Sequence, residues 1–204
     1  MIIILRETDT SAVMMRTRSR KNMQRTHRLK TPLSAGDIKK LKSGDMVYLS
    51  GTIYGARDAA HKRILKTIDE GARLPIDLKD IVIFYVGPSP TPPGKSSGSI
   101  GPTTSARMDG LTEPLLAKGV KAMIGKGARS AGLKKMLPVY GAVYFIAIGG
   151  IASYLSSRVE SIETVAYDDL GAEAIHKIEI KDFPLFVAYD IYGGDIFEEA
   201  LLSE

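Results

Sequence analysis

Two glycine-rich stretches of the sequence combine hydroxyl and cationic side chains. Thr103, Thr104 and Arg107 lie in GPTTSARMDG at 101–110, and Lys126 lies between two glycines in GKG at 125–127. Hydroxyl groups donate and accept hydrogen bonds, and guanidinium and ammonium groups bind carboxylates. These residues therefore predict a site for a carboxylate ligand. The structural alternative at 101–110 is a hydroxyl-stabilised turn that leads into a capped helix and leaves Arg107 in solvent.

A third candidate cluster lies where a predicted helix begins. Arg57 and Asp58 follow a predicted strand at 46–54, and His61 comes one helical turn after Arg57, so Arg57 and His61 share a face. Helices that begin just past the carboxyl end of a strand bind anions in α/β proteins. The alternative is an exposed helix face with no function.

The elements that would position these residues alternate between strand and helix in the middle of the chain. β-Branched and aromatic residues predict strands at 46–54, 81–87 and 139–150, and caps with apolar periodicity predict helices after Ser34 and at 57–71, 110–119, 130–137 and 151–157. Residues 88–104 are so rich in Pro, Gly and Ser that they predict a long loop. The tail is richer in strands, at 159–167, 174–180 and 184–190, before a closing helix at 196–204. This order predicts an α/β fold with mixed sheets and flanking helices.

The net charge of +5 is concentrated at the amino end of the 204-residue chain. Residues 1–34 carry eight basic and two acidic residues, whereas the rest of the chain carries 20 basic and 21 acidic residues. The body is therefore nearly neutral, which argues against a nucleic-acid-binding surface. A module that binds nucleic acid through its basic amino end is the alternative from another functional class.

The amino end is predicted to be an extension of the folded part. We divide the chain into a flexible basic extension at 1–30 and a folded domain at 31–204, and expect the extension to be dispensable or a transit peptide. The longest apolar run, at 141–155, is too short to span a bilayer and contains a glycine pair. We expect a cytoplasmic protein that neither enters a membrane nor binds nucleic acid.

The chain contains no cysteine. It cannot form disulfides or supply thiolate ligands to zinc or to an iron–sulfur cluster, so any such cluster must be held by another chain. His27, His61 and His176 lie in unrelated sequence contexts, so we predict no metal site made by this chain.

A series of motifs resembles one enzyme family over residues 31–197. The motifs are, in order, GDMVYLSGTIYGARDAAHKRI, LPIDLKDIVIFYVGP, GSIGPTTSARMDG, MIGKG, FIAIGG and DFPLFVAYDIYG. They resemble the β subunit, or carboxyl-terminal domain, of the iron–sulfur class I fumarate hydratases and L(+)-tartrate dehydratases. The stretch from GPTT through GKG is the most specific part.

The resemblance implies a fold, a reaction and a partner. It implies a swivelling β/β/α domain that interconverts fumarate and (S)-malate together with an α subunit, which holds a [4Fe–4S] cluster through three cysteines. It also implies that Arg57, Arg107 and Lys126 face the carboxylates of the dicarboxylate substrate and that Thr103 transfers the proton, with Thr104 and His61 as further substrate contacts. An aspartate of the partner would activate the threonine. Tartrate as substrate remains open, as does a homodimer of the β subunit.

Overall fold

The computed structural model describes residues 24–89, 100–147 and 152–201. Seven strands run through these ranges and form one sheet: β1 Thr26–Lys30, β2 Met46–Gly55, β3 Val82–Phe84, β4 Ala122–Gly125, β5 Val143–Ala147, β6 Val159–Ala166 and β7 Ile175–Tyr189. Their β-branched and aromatic residues suit a pleated, buried surface.

The helices in the same ranges are α1 Ala35–Lys40, α2 Asp58–Asp69, α3 Asp109–Ala117, α4 Ala131–Tyr140, α5 Ala152–Ser156 and α6 Ile196–Leu201. Short 3₁₀ turns lie at Ala106–Met108 and Asp168–Glu173. The predicted cap at Ser34 is confirmed, because its Oγ accepts the Asp37 N–H at 3.1 Å while the Asp37 carboxylate accepts the Ser34 N–H. Ser130 caps α4 through the Leu133 N–H.

The sheet closes on itself. Strands β1 to β5 pair in parallel in chain order, and β7 pairs antiparallel with β5, β2 and β6. Because β7 joins β5 back to β2, the strands β2, β3, β4, β5 and β7 form a closed ring, to which β1 and β6 are added. The predicted class, α/β with a mixed sheet and flanking helices, is confirmed.

Two apolar clusters cover the two faces of this sheet. One joins alternate residues of all five ring strands, including Val47, Phe84 and Phe145. The other packs helix residues such as Ile64 and Leu115 against the opposite face of the strands. Burial on both faces fixes the strand register, because a slip by one residue would exchange the two faces. Within the described ranges, every helix is too short or too polar to cross a bilayer.

The structure corrects two sequence-based boundaries. Residues 26–30, assigned to the extension, form β1 and pair with β2, whereas residues 1–23 lie outside the described ranges. The strand predicted at 139–150 begins only at Val143, since α4 continues to Tyr140 and ends at Gly141, whose φ of 60° is left-handed. Residues 148–150 lie outside the described ranges, as does most of the predicted loop, at 90–99.

The two predicted tail strands at 174–180 and 184–190 form one long strand. A bulge lies opposite Ser50, where the pairing shifts between Leu49 and Gly51 of β2. Asp182 takes a left-handed φ of 47° there, and its N–H donates to Ser50 Oγ at 2.9 Å. The bulge accommodates the one residue that β7 has in excess of β2 at this point, so β7 continues through Pro184 instead of ending.

Candidate functional site

The carboxyl ends of three adjacent parallel strands carry the predicted site residues. β2 leads into Arg57, and β4 leads into Lys126. The loop that holds Thr103 reaches the end of β3, where the Thr103 N–H donates to the Tyr85 carbonyl at 2.9 Å. Parallel neighbours end at the same edge of a sheet, so residues far apart in the sequence meet there.

Ser105 holds the threonine loop against the end of β4. Its N–H donates to the Lys126 carbonyl at 3.1 Å, and its Oγ accepts the Lys126 N–H at 2.9 Å. Thr104 and Lys126 face each other as a parallel bridge. Ser105 is fully buried, whereas Thr104 and Lys126 are exposed. The pairing therefore joins the two glycine-rich stretches while leaving their functional side chains at the surface.

Arg107 contacts the hydroxyl of Thr103. It lies in the 3₁₀ turn before α3, and its Nη2 donates to Thr103 Oγ1 at 3.0 Å. A guanidinium has no acceptor, so the hydroxyl oxygen accepts here and its own hydrogen is directed toward another acceptor. The Arg107 side chain is 49% exposed, which leaves it accessible to a ligand.

Arg57 lies at the start of α2 and reaches across to the next strand end. Its backbone is extended, as expected for a residue that precedes a helix, and its Nη2 lies 3.0 Å from Glu173 Oε1. Its Nη1 lies over Gly87, where a Cβ would stand 2.8 Å from that nitrogen. A side chain at position 87 would therefore displace the guanidinium from this position. The side chain is 27% exposed, so a ligand can still reach it.

Asp58 lies between the two arginines. Its Oδ2 is 3.2 Å from Arg107 Nη2 and 3.5 Å from Arg57 Nε. Neither approach has the alignment of a hydrogen bond, and both Oδ2 and Arg57 Nε are buried atoms without a hydrogen-bond partner. Attraction between charges, rather than directed hydrogen bonding, therefore holds the three groups together. Sequence reasoning placed Asp58 in a candidate cluster without predicting these two contacts, and it did not single out Glu173.

His61 lies beneath the site rather than on its surface. It is fully buried, its Nδ1 is 3.0 Å from the Arg57 carbonyl oxygen, and its ring contacts that of Tyr85 at 5.5 Å between centroids. Burial lowers the pKa of His61 to about 4, and the charge of Arg129 acts in the same direction. Its predicted contact with substrate stays a prediction, whereas its packing supports the residue that precedes α2.

A buried ion pair beneath the loops was not predicted. Arg129 pairs with Asp109 through Nε, and Asp109 Oδ2 also accepts the Ser130 N–H at 2.6 Å. The Arg129 guanidinium lies over the rings of Tyr85 and Tyr144, at 5.1 and 5.0 Å from their centroids. The pair ties the segment after Lys126 to the start of α3, just after Arg107. Its sequence signal is weak, because nothing in GKGARS distinguishes a buried arginine from a solvated one.

A cavity of about 460 Å³ is lined in part by the 3₁₀ turn that carries Glu173. Its lining includes Pro88, Ala172 and His176. The His176 Nδ1 is 3.2 Å from Thr164 Oγ1, and burial lowers the pKa of His176. The predicted residues do not line this cavity; they form an open cluster beside it.

The structure thus brings Arg57, Thr103 and Arg107 together around Asp58 and joins Thr104 and Lys126 by backbone pairing. Arg57 and Arg107 balance the charges of Asp58 and Glu173, and the exposed Lys126 adds a further positive charge at the same strand edge. Within the described ranges, no group of three acidic, histidine or cysteine side chains is arranged to hold a metal ion. The arrangement defines an α/β domain in which cationic and hydroxyl side chains gather at the carboxyl ends of its parallel strands.

Comparison with known proteins identifies the family. The family model described as "Fumarase C-terminus" matches residues 2–200 of the chain. The chain therefore belongs to the fumarase C-terminus family, as its motifs predicted.

Its relatives are hydro-lyases or their subunits. The chain is 42% identical over 173 residues to a Methanocaldococcus jannaschii protein named "Putative L(+)-tartrate dehydratase subunit beta", covering 82% of this chain and 89% of that protein. It is 42% identical over 158 residues to the aerobic class I fumarate hydratase of Escherichia coli K12, covering 76% of this chain but only 29% of that enzyme. Fumarate hydratase 2 of Leishmania major is 38% identical over 160 residues, covering 78% of this chain and 28% of the enzyme. The chain matches less than a third of either fumarate hydratase.

Proposed function

We propose that this chain is the β subunit of a hydro-lyase that interconverts fumarate and (S)-malate together with a cluster-bearing α subunit. The observation that carries the proposal is the meeting of Arg57, Thr103 and Arg107 around Asp58 at one edge of the sheet, in a chain of this family. Its near-complete coverage of a protein named as a β subunit supports a separate partner chain.

The cationic side chains suit a dicarboxylate. Fumarate and malate are dianions, and Arg57, Arg107 and Lys126 would bind and orient their two carboxylates. Removal of a proton from the carbon beside a carboxylate adds negative charge to that group in the transition state. The cations therefore contribute to the reaction rate as well as to binding, because they bind the transition state more tightly than the substrate.

Thr103 would transfer the proton. Malate loses a proton from one carbon and hydroxide from the next, leaving the double bond of fumarate. A threonine hydroxyl is a weak base, so it needs a charged neighbour or a relay. The Arg107 contact favours the alkoxide form of Thr103, whereas Asp109 is engaged by Arg129 and Asp58 by the two arginines. We therefore keep the expectation that an aspartate of the partner completes the relay.

The [4Fe–4S] cluster would be held by the partner α subunit. This chain contains no cysteine, so it offers no thiolate ligand to a cluster. When bound to the partner, the cluster supplies a Lewis-acidic iron for the hydroxyl that leaves. Thr104, Arg107 and Lys126 are exposed, so a substrate held across the interface with the partner would be able to contact them.

Tartrate dehydration is the second candidate. The relative that this chain covers almost completely carries that name, and tartrate differs from malate by one hydroxyl group. The same cationic groups would bind both substrates, so recognition of the extra hydroxyl would decide between them.

Reconstitution tests the proposal. The purified chain is mixed under anaerobic conditions with a cluster-loaded α subunit, and fumarate, malate and tartrate turnover are measured for each chain alone and for the mixture. We expect turnover only in the mixture, with malate and fumarate preferred. Strong turnover by this chain alone, or none by the mixture on any of the three substrates, would contradict the proposal. Competition between malate and tartrate separates the two candidate activities.

A further inference from the structure

Asp58 is the carboxylate that both candidate substrate-binding arginines share. The same oxygen, Oδ2, approaches Arg107 Nη2 at 3.2 Å and Arg57 Nε at 3.5 Å. That oxygen is buried although the side chain is 28% exposed, so the two guanidiniums cover it from water. One negative charge thus lies between two positive charges that would otherwise repel each other.

The start of α2 fixes the position of Asp58. Arg57 is extended and Asp58 is the first helical residue, so their side chains leave the backbone in different directions and meet again at the loop of Arg107. A carboxylate in the first turn of a helix is favoured by the free N–H groups there. Asp58 is therefore held by its helix, whereas Arg107 belongs to a separate loop.

The charge contact leaves the arginines free to donate hydrogen bonds elsewhere. Neither Arg107 Nη2 nor Arg57 Nε is aligned for a hydrogen bond to Asp58. The charge contact therefore restrains the two guanidiniums but leaves their N–H groups available to other acceptors. Arg107 Nη2 donates one of these N–H groups to Thr103 Oγ1 at 3.0 Å. Its remaining N–H groups can bind a substrate carboxylate while the Thr103 contact persists.

We propose that Asp58 is a positioning residue that holds Arg57 and Arg107 at a fixed spacing and, through Arg107, orients the hydroxyl of Thr103. The inference rests on the proposed function for its catalytic consequence. The geometric restraint itself belongs to this chain alone and is measurable without the partner.

Glu173 provides the matched control. It contacts Arg57 Nη2 at 3.0 Å and accepts the Ala59 N–H at 2.9 Å, so it restrains Arg57 and supports the start of α2. Its contacts involve Arg57 and not Arg107. Asp58→Asn and Glu173→Gln each remove one negative charge near Arg57 with little change of shape, but only Asp58→Asn removes the charge contact with Arg107.

The first measurement uses nitrogen-15 NMR of the guanidinium groups in the full chain without partner. Asp58→Asn is expected to speed rotation of the Arg107 and Arg57 guanidiniums, whereas Glu173→Gln speeds only that of Arg57. Equal restraint of Arg107 in wild type and Asp58→Asn would overturn the proposal. This result stands whether or not the chain proves to be a hydro-lyase.

The second measurement uses the reconstituted enzyme. Asp58→Asn is expected to lower kcat by about tenfold or more, because Thr103 loses its orientation, and Glu173→Gln is expected to raise KM more than it lowers kcat. If Asp58 acted only as a counter-charge to the arginines, Asp58→Asn would have the opposite effect on the kinetics. Loss of a negative charge would then tighten dianion binding, lower KM and leave kcat intact, and that outcome would refute the positioning role.

Asp58→Glu provides a second test in case Asp58→Asn fails to fold. It keeps a negative charge at the start of α2 but moves the carboxylate by one methylene group. We expect it to fold and to show a kcat loss similar to that of Asp58→Asn. Wild-type kcat in Asp58→Glu would show that the position of the carboxylate does not matter, which contradicts the proposal.

Discussion

Gly125 and Ser105 lie so close that a Cβ on Gly125 would stand 1.8 Å from the Ser105 Oγ. The missing side chain at the end of β4 is therefore what allows Ser105 to bond both the N–H and the carbonyl of Lys126. The glycine of GKG thus serves the packing of the threonine loop.

Gly125→Ala should displace Ser105 and separate the Thr103 loop from Lys126. We expect the variant to lose most turnover in the reconstituted enzyme, about 100-fold, since a misplacement of about 1 Å near reacting groups has effects of that size. The control is Gly110→Ala, where a Cβ meets nothing within 4 Å and alanine favours the helix. Similar turnover in both alanine variants would refute the role of this contact.

Arg107→Ala should remove both the Thr103 contact and a cation for the substrate. We expect kcat/KM to fall by about 100-fold or more, with an unchanged melting temperature because the side chain is half exposed. Arg73→Ala, which removes an exposed arginine after α2, should keep wild-type kinetics. Steady-state assays and thermal melts of the three proteins check this, and near wild-type turnover of Arg107→Ala would contradict the site assignment.

His61 should make the fold less stable in acid. Its pKa is lowered to about 4 in the folded state, below the ordinary value of 6.5, so the unfolded chain binds the proton more readily. Its stabilising contribution is complete above pH 6.5 and is lost as the pH falls toward 4, by about 3 kcal/mol in all. Urea unfolding of wild type and His61→Gln across this window measures the difference. His176, whose pKa is also lowered, is present in both proteins and cancels.

Asp109→Asn should destabilise the domain, because it leaves the buried guanidinium of Arg129 without its counter-charge. We expect a loss of about 3 kcal/mol in the free energy of unfolding, and a smaller loss than additivity predicts when Arg129→Met is added. Glu70→Gln removes a partner from the exposed pair with Lys66 and should have no measurable effect. Additive losses in the double variant would show that the pair is not coupled.

Val143→Asp should prevent folding, since it places an unpaired charge at a fully buried position of strand β5. The matched control is Val139→Asp on α4, where the side chain is 77% exposed. Circular dichroism and gel filtration of both variants test this prediction. A folded Val143→Asp protein would show that the apolar cluster inside the ring tolerates a charge.

Local features of the fold were predictable because short-range chemistry decides them. The cap at Ser34 and the buried strands each depend on neighbouring residues. The end of α4 at Tyr140 was misplaced, because VY suits a strand as well as a helix and only Gly141 marks the boundary. The bulge in β7 depends on its pairing with β2, and neither segment by itself predicts that pairing.

The sequence by itself determined which side chains are available for chemistry, namely the threonines, the arginines and the lysine of the motifs, and it determined that no cysteine is present. Only the tertiary structure decided that Asp58 binds both arginines, that Ser105 joins two loops, and that His61 and Arg129 lie buried beneath them. The physical reason is that residue type sets what a side chain can do, whereas its partners depend on which strand ends the closed ring brings together. Those neighbours are distant in the sequence, and local propensity carries no information about them.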